Sequence, residues 1–270
     1  MLLTTLAVAS VVQAQVTNAA DRQPAATNIP ATNDVLLLPL VEFRDVPITA
    51  AIENLARQAG INYMIDPYRC QKLTGSEAEH IPEPDVTFRL ENVTAKDVLE
   101  RMLNVRNFAL IEDPLTHIAR IAPSDATVNF VDASLLGMDT NKPVSSTNDI
   151  IPLIQFQCVP LDFALANLIR QSAINIALDP RLIDSDDTWN FIKTNGLAVI
   201  NYNTNQANEP REKWFNPMPV ISIRWENLTA NQTIVALCQN YDLVIVKDDT
   251  TGTVQIKPNE SRKRHHLRHF

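Results

Sequence analysis

The strongest constraint on this chain is that it repeats itself. Residues 38–67 read LPLVEFRDVPITAAIENLARQAGINYMIDP, and residues 151–180 read IPLIQFQCVPLDFALANLIRQSAINIALDP. At an offset of 113, 14 of the 30 positions are identical, among them Phe43/Phe156, Pro47/Pro160, Arg57/Arg170 and Asp66-Pro67/Asp179-Pro180. A second matched pair, VTFRLENVTAKDVLERML (86–103) and ISIRWENLTANQTIVALC (221–238), stands at an offset of 135. The chain is therefore two copies of one unit of about 85–110 residues, the second carrying 22 extra residues in its middle.

Each copy predicts the same order of elements. A strand (35–43; 150–157) leads to Pro47 or Pro160 at the first turn of a helix, where the missing N–H costs nothing. Ile48, Ala51, Ile52, Leu55 and Ala59 form an apolar stripe at helical spacing, and Leu161, Ala164, Leu165, Leu168 and Ser172 repeat it with a weak last position. An alternating strand follows, ended by Asp-Pro because proline cannot continue a ladder. Val86, Phe88 and Leu90, like Ile221, Ile223 and Trp225, alternate again, with Arg89 and Arg224 on the wet face. Thr94 to Asp97 and Thr229 to Gln232 then open a second helix with a capping-box pattern. Two closing strands are expected near 108–112 and 117–122, and again near 241–247 and 253–257. The fold class is α+β: two tandem β-α-β-β-α-β-β modules, each with small sheets packed against two helices.

Composition bears mainly on what the units are not. The 23 basic and 31 acidic residues give a net charge of −8, which argues against a nucleic-acid surface. Five glycines, at 60, 75, 137, 196 and 252, cannot build a dinucleotide fingerprint, a P-loop or the RNA-clamping loop of KH modules. Cys70, Cys158 and Cys238 form no C-x-x-C. Cys158 and Cys238 lie in apolar runs and are expected to be buried, whereas Cys70, in a polar loop, is the expected exposed thiol. Residues 2–12 are apolar and are followed by Gln-Ala-Gln, so residues 1–14 read as a signal peptide cleaved near Ala14. The basic residue expected before that stretch is missing, which leaves open a start further upstream. No cysteine follows it, which argues against a lipoprotein anchor. Residues 15–34 form an Ala/Thr/Asn/Gln/Pro leader. The expected organisation is then a first module over 35–123, a linker over 124–149, a second module over 150–258 with an insertion at 181–219, and a basic tail over 259–270.

Phe43-Arg-Asp-Val-Pro47, a helix ending in Leu-Ala-Arg-Gln-Ala-Gly-Ile-Asn, and a strand ending in Asp66-Pro67 resemble the short N-terminal domain shared by secretins and TonB-dependent signalling receptors. Leu90-Glu-Asn-Val-Thr-Ala-Lys-Asp-Val-Leu99 fits the same family. The second copy looks like the same domain but has Cys158 where the first has Asp45, and Ala173 where it has Gly60. The resemblance covers roughly 35–123 and 150–258. It implies a periplasmic recognition module and no catalyst. Secretin domains of this kind line a periplasmic vestibule and dock other proteins; in signalling receptors one copy contacts a membrane-bound regulator. Five glycines are far fewer than long runs of barrel strands use, so the expectation is a double module with neither pore nor barrel.

The implied function is non-enzymatic interaction or assembly in the periplasm, within a secretion or pilus system and with outer-membrane association through a partner. The alternative is a receptor-type signalling module contacting a membrane regulator. Assembly into a homo-oligomer is compatible with the first. No nucleic acid, small-molecule substrate, cofactor, metal or catalytic residue is expected. Asp184-Ser-Asp-Asp187 lacks the glycine and terminal Glu of a calcium loop. The Asn92 and Asn227 sequons occupy the same turn-and-cap site in each copy; a third begins at Asn231. Two features stand outside the repeat. The insertion holds Trp189, Phe191, Tyr202, Trp214 and Phe215, which read either as aromatic anchors for a partner or as rings folded back over the second module, with 197–202 as an added strand. The tail Arg262-Lys-Arg-His-His-Leu-Arg268 is basic enough to touch anionic lipid or an acidic partner, against a reading as a solvated end.

Overall fold

The computed structural model describes residues 37–75, 81–126, 133–138, 149–200 and 213–262, all within one compact unit, Leu36–Phe270. The signal segment, the leader, Tyr202 and residues 263–270 of the tail lie outside the described residues. The fold is α+β, as expected. The first half runs β1 (Leu38–Pro47), α1 (Ile48–Ala59), β2 (Asn62–Ile65), a short α2 (Gln71–Thr74), β3 (Asp85–Val93), α3 (Ala95–Asn104), β4 (Phe108–Glu112) and β5 (Ile118–Pro123). The second runs β6 (Ile150–Pro160), α4 (Leu161–Gln171), β7 (Ile176–Leu178), α5 (Asp186–Thr194), β8 (Ala198–Val199), β9 (Val220–Thr229), α6 (Ala230–Asn240), β10 (Leu243–Lys247) and β11 (Val254–Pro258).

Each half pairs its first and third long strands as an antiparallel ribbon, β1–β3 and β6–β9. The remaining strands form a mixed sheet in which β2 runs parallel to β5, and β7 parallel to β11, with a hairpin partner on the far side. The helical stripes point into these layers: Ile48, Ala51, Ile52 and Leu55 are buried in one core, and Leu161, Ala164, Leu165 and Leu168 in the other. Burying each isoleucine or leucine among them contributes about 1.5–3 kcal/mol. The wet faces of both ribbons carry i,i+2 ion pairs, Arg89–Glu91 and Arg224–Glu226.

The repeat is visible in the backbone itself. Three pairs of non-glycine residues adopt positive φ at matched positions: Asp45 and Cys158, Asn92 and Asn227, Asn107 and Asp242. The first pair sits in a bulge of the leading strand. There the N–H of Asp45 donates to Thr87 Oγ1 (2.9 Å), and that of Cys158 to Ser222 Oγ (3.0 Å), so the matched hydroxyl holds both bulges. Asn92 and Asn227 turn the chain into the caps: Thr94 accepts from Asp97 N, and Thr229 forms a complete capping box with Gln232. The copies part where one lost its glycine. Gly60 ends α1 in the left-handed region, whereas α4 leaves through extended Ser172, whose Oγ donates to Asn231 Oδ1 (2.6 Å).

One expectation is corrected. Cys158 is exposed and Cys70 is buried, the reverse of what their neighbours suggest; Cys238 is buried as expected. The bulge turns Cys158 out of the ribbon's apolar alternation. Residues 66–74 fold inward, so the Cys70 thiol donates to Ile121 O (3.3 Å). Burial, with Asp66 nearby, pushes the Cys70 thiol up to about 12, and burial raises Cys238 as well. Iodoacetamide at neutral pH should therefore label Cys158 alone in the native chain and all three thiols after unfolding; native labelling of Cys70 would contradict this placement. Within the expected linker, the described residues 133–138 include a 3-10 turn, Ser134–Leu136; Leu136 is buried in the second core and its carbonyl accepts from Asn231 Nδ2 (3.1 Å).

Candidate functional site

Of the insertion aromatics, read either as partner anchors or as rings folded back over the second module, the four described ones pack inward. Phe215 is 8% exposed, and Trp189, Phe191 and Trp214 are partly buried against the second core. The Phe191 ring centroid lies 5.1 Å from that of Phe163 in α4, and the Arg170 guanidinium carbon sits 6.0 Å from the same Phe191 centroid. Phe215 meets Tyr241 edge to face. Leu197–Tyr202 was the expected added strand, and β8 at Ala198–Val199 supplies its described part, parallel to β7. Phe215 is thus a core residue and no free anchor: an aromatic run in a polar insertion has as much to gain from covering its own module as from a partner.

The described residues bring a different set together, where the modules meet. Met64 and Ile118, on the back of the β2–β5 sheet, belong to the core of the second module. Tyr68 of the first module meets Tyr241 of the second edge to face at 6.5 Å. Around this apolar joint lies a set of side-chain hydrogen bonds to main chain. Trp225 Nε1 donates to Tyr63 O (2.7 Å), and Asn240 Nδ2 to Ile65 O (3.1 Å), so two carbonyls on the outer edge of β2 are met by the second module. Asn62 clamps Glu226 from the other direction: its Nδ2 donates to Glu226 O (2.9 Å) and its Oδ1 accepts from Glu226 N (2.8 Å). Gln239 Nε2 reaches the buried Asp113 carboxylate in the β4–β5 turn (3.2 Å). The Tyr63 ring itself packs against the first core, and burial there, with Glu53 next, raises its phenol to about 12.

Beside the joint runs a groove of about 940 Å³. One wall is α1 with Glu53 and Arg57 and the outer edge of β2; the other is the β6–β9 ribbon with Gln157, Cys158, Ser222 and Arg224. Backbone groups of successive strand residues point to alternate edges. Because the N–H and C=O of Glu226 face Asn62, away from β6, those of Arg224 and Ser222 face the same way, along the groove. The groove is therefore walled by a strand edge with main-chain donors and acceptors on offer, beside one acidic and one basic side chain of α1.

Sequence reading placed Trp225 only in a strand's alternation and passed over Asn62, Gln239 and Asn240, yet a signal was present. At otherwise matched positions the copies differ where the joint is made: Trp225 replaces Leu90, and Asn240 falls where the first copy has Val105. Among the described residues no group of three or more His, Cys, Asp or Glu could hold a metal ion, and no helix is long and apolar enough to cross a membrane. Comparison with family models, curated proteins and solved structures found no match.

Proposed function

We propose that the chain is a non-enzymatic, exported interaction module, an assembly component of the periplasmic kind that the N-terminal domains of secretins represent. Its partner is a protein of a secretion or pilus system, which presents an extended segment to the groove between the modules. The observation that supports this is the outer edge of β9 at Ser222 and Arg224, which lines one groove wall beyond the Asn62 clamp. Strand addition draws affinity from main-chain hydrogen bonds and selects through pockets for alternate side chains. Here Glu53 and Arg57 would read those side chains across the groove.

The test separates backbone from side chain at one position. Arg224→Pro removes an N–H on the groove edge and leaves the ladder to β6 intact, since proline is tolerated on edge strands. Its exposed pair with Glu226 contributes at most about 1 kcal/mol. A photo-crosslinker at exposed Gln157 should capture a secretion or pilus component in cells. Arg224→Ala should preserve that capture and Arg224→Pro should lose it, both variants remaining folded. Undiminished capture by the proline variant would rule out edge pairing; capture of a receptor or its transmembrane regulator would replace the assembly reading with signalling.

A further inference from the structure

The joint between the modules raises the question of what closes the same surface on the second one. In the first module Ile65 O, on the outer edge of β2, accepts from Asn240 Nδ2 of the second module (3.1 Å). The matched residue of the second module is Leu178, and Leu178 O accepts from Ile200 N of the insertion (2.9 Å). Around that bond β8 pairs with β7 in parallel, Ala177 against Ala198 and Leu178 against Val199. The same carbonyl is thus met in one copy by a neighbouring module and in the other by Ile200, within a segment 22 residues longer than its counterpart. Asn175, identical to Asn62 in the repeat, stays exposed beside the covered edge.

The complementary surface is also spoiled in the first module. Continuing the offset of 135, Trp225, Gln239 and Asn240 correspond to Leu90, Asn104 and Val105. Leu90 and Val105 carry no side-chain donor, and Val105 is 81% exposed where its counterpart lies in the joint. One module has the accepting edge but lacks two of the three donors; the other has all three donors and a covered edge.

We propose that β8 and Ile200, within the insertion, form an edge cap: they keep β7 from pairing with β7 of a second copy, so that the joint is made once within each chain and ends there. A second copy is the occupant the uncapped edge would take. Edge-to-edge pairing runs on main-chain groups that every copy presents, and the two-fold arrangement makes the contact self-complementary. Ile176, Ala177 and Leu178 are all apolar and buried, which leaves no charge on β7 to oppose such pairing. This inference stands apart from the groove reading, since β7 and the groove edge of β9 are different strands.

The experiment is sedimentation equilibrium on the full chain. Ile200→Pro removes the N–H that reaches Leu178 O; Ile200→Ala keeps it and serves as the control. The wild type and Ile200→Ala should sediment as monomers, and Ile200→Pro should dimerise at concentrations lower by about tenfold or more. Should the proline variant fail to fold, a chimera with residues 181–219 replaced by the first copy's 68–84 removes the cap entirely and should dimerise likewise. A folded proline variant or chimera that associates no more strongly than the wild type overturns the cap, as does a wild type that self-associates to the same degree.

Discussion

Trp225→Ala should lower the folding stability of the whole chain by about 3–5 kcal/mol, the range for emptying a fully buried indole site. Trp225 is 0% exposed and is among the largest side chains buried in the second core. Its Nε1 also supplies the donor for Tyr63 O across the joint. Trp225→Phe separates the two roles. It keeps most of the ring volume and leaves the Tyr63 carbonyl without that donor, so about 1–3 kcal/mol should be lost. Urea denaturation followed by circular dichroism measures both variants. An alanine effect below that of phenylalanine would show that the cavity refills and that the hydrogen bond dominates.

Asp66→Ala should be as damaging, about 3–5 kcal/mol, because it strands a nearly buried cation. Asp66 is 2% exposed, and its Oδ2 accepts from Arg120 Nη2 at 2.7 Å, the arginine side chain being 13% exposed. Its Oδ1 accepts from the N–H groups of Tyr68 and Arg69, which shape the turn before α2. The second copy shows that the turn needs the carboxylate more than it needs that particular cation. Asp179 keeps the role with Arg181, two residues on, while Gln255 stands where Arg120 would be and donates to Asp248. Arg120→Gln should accordingly cost less than Asp66→Ala in the same denaturation experiment. The reverse order would place the stability in the guanidinium instead of the turn.

Much of the fold was legible because the chain states it twice. Strands, helices and caps follow from alternation, helical spacing and Thr-initiated boxes, and the structure moves their ends by a few residues, as with β1 and β6 running on to Pro47 and Pro160. Side chains that break a local pattern were misplaced or left open. Cys158 sits in an apolar run, but the bulge before it shifts the alternation and turns it out. Phe215 sits among polar residues, but a buried Tyr241 ring waits for it some 26 positions downstream. The joint and groove were not legible by local pattern at all. They join residues as far apart as Asn62 and Glu226 through main-chain groups, which every residue possesses and no composition reveals. Only the differences between the copies hinted at them.

The Asn62 clamp has a consequence for how such a chain tolerates change. It grips the amide and carbonyl of residue 226 and nothing of the glutamate itself. Any residue except proline offers those two groups equally well, so position 226 is free to drift while position 62 is not. The second module can in this way renew the outward chemistry of its ribbon, residue by residue, without loosening its hold on the first. A fastening that is blind to sequence on one side leaves that side available for a new task.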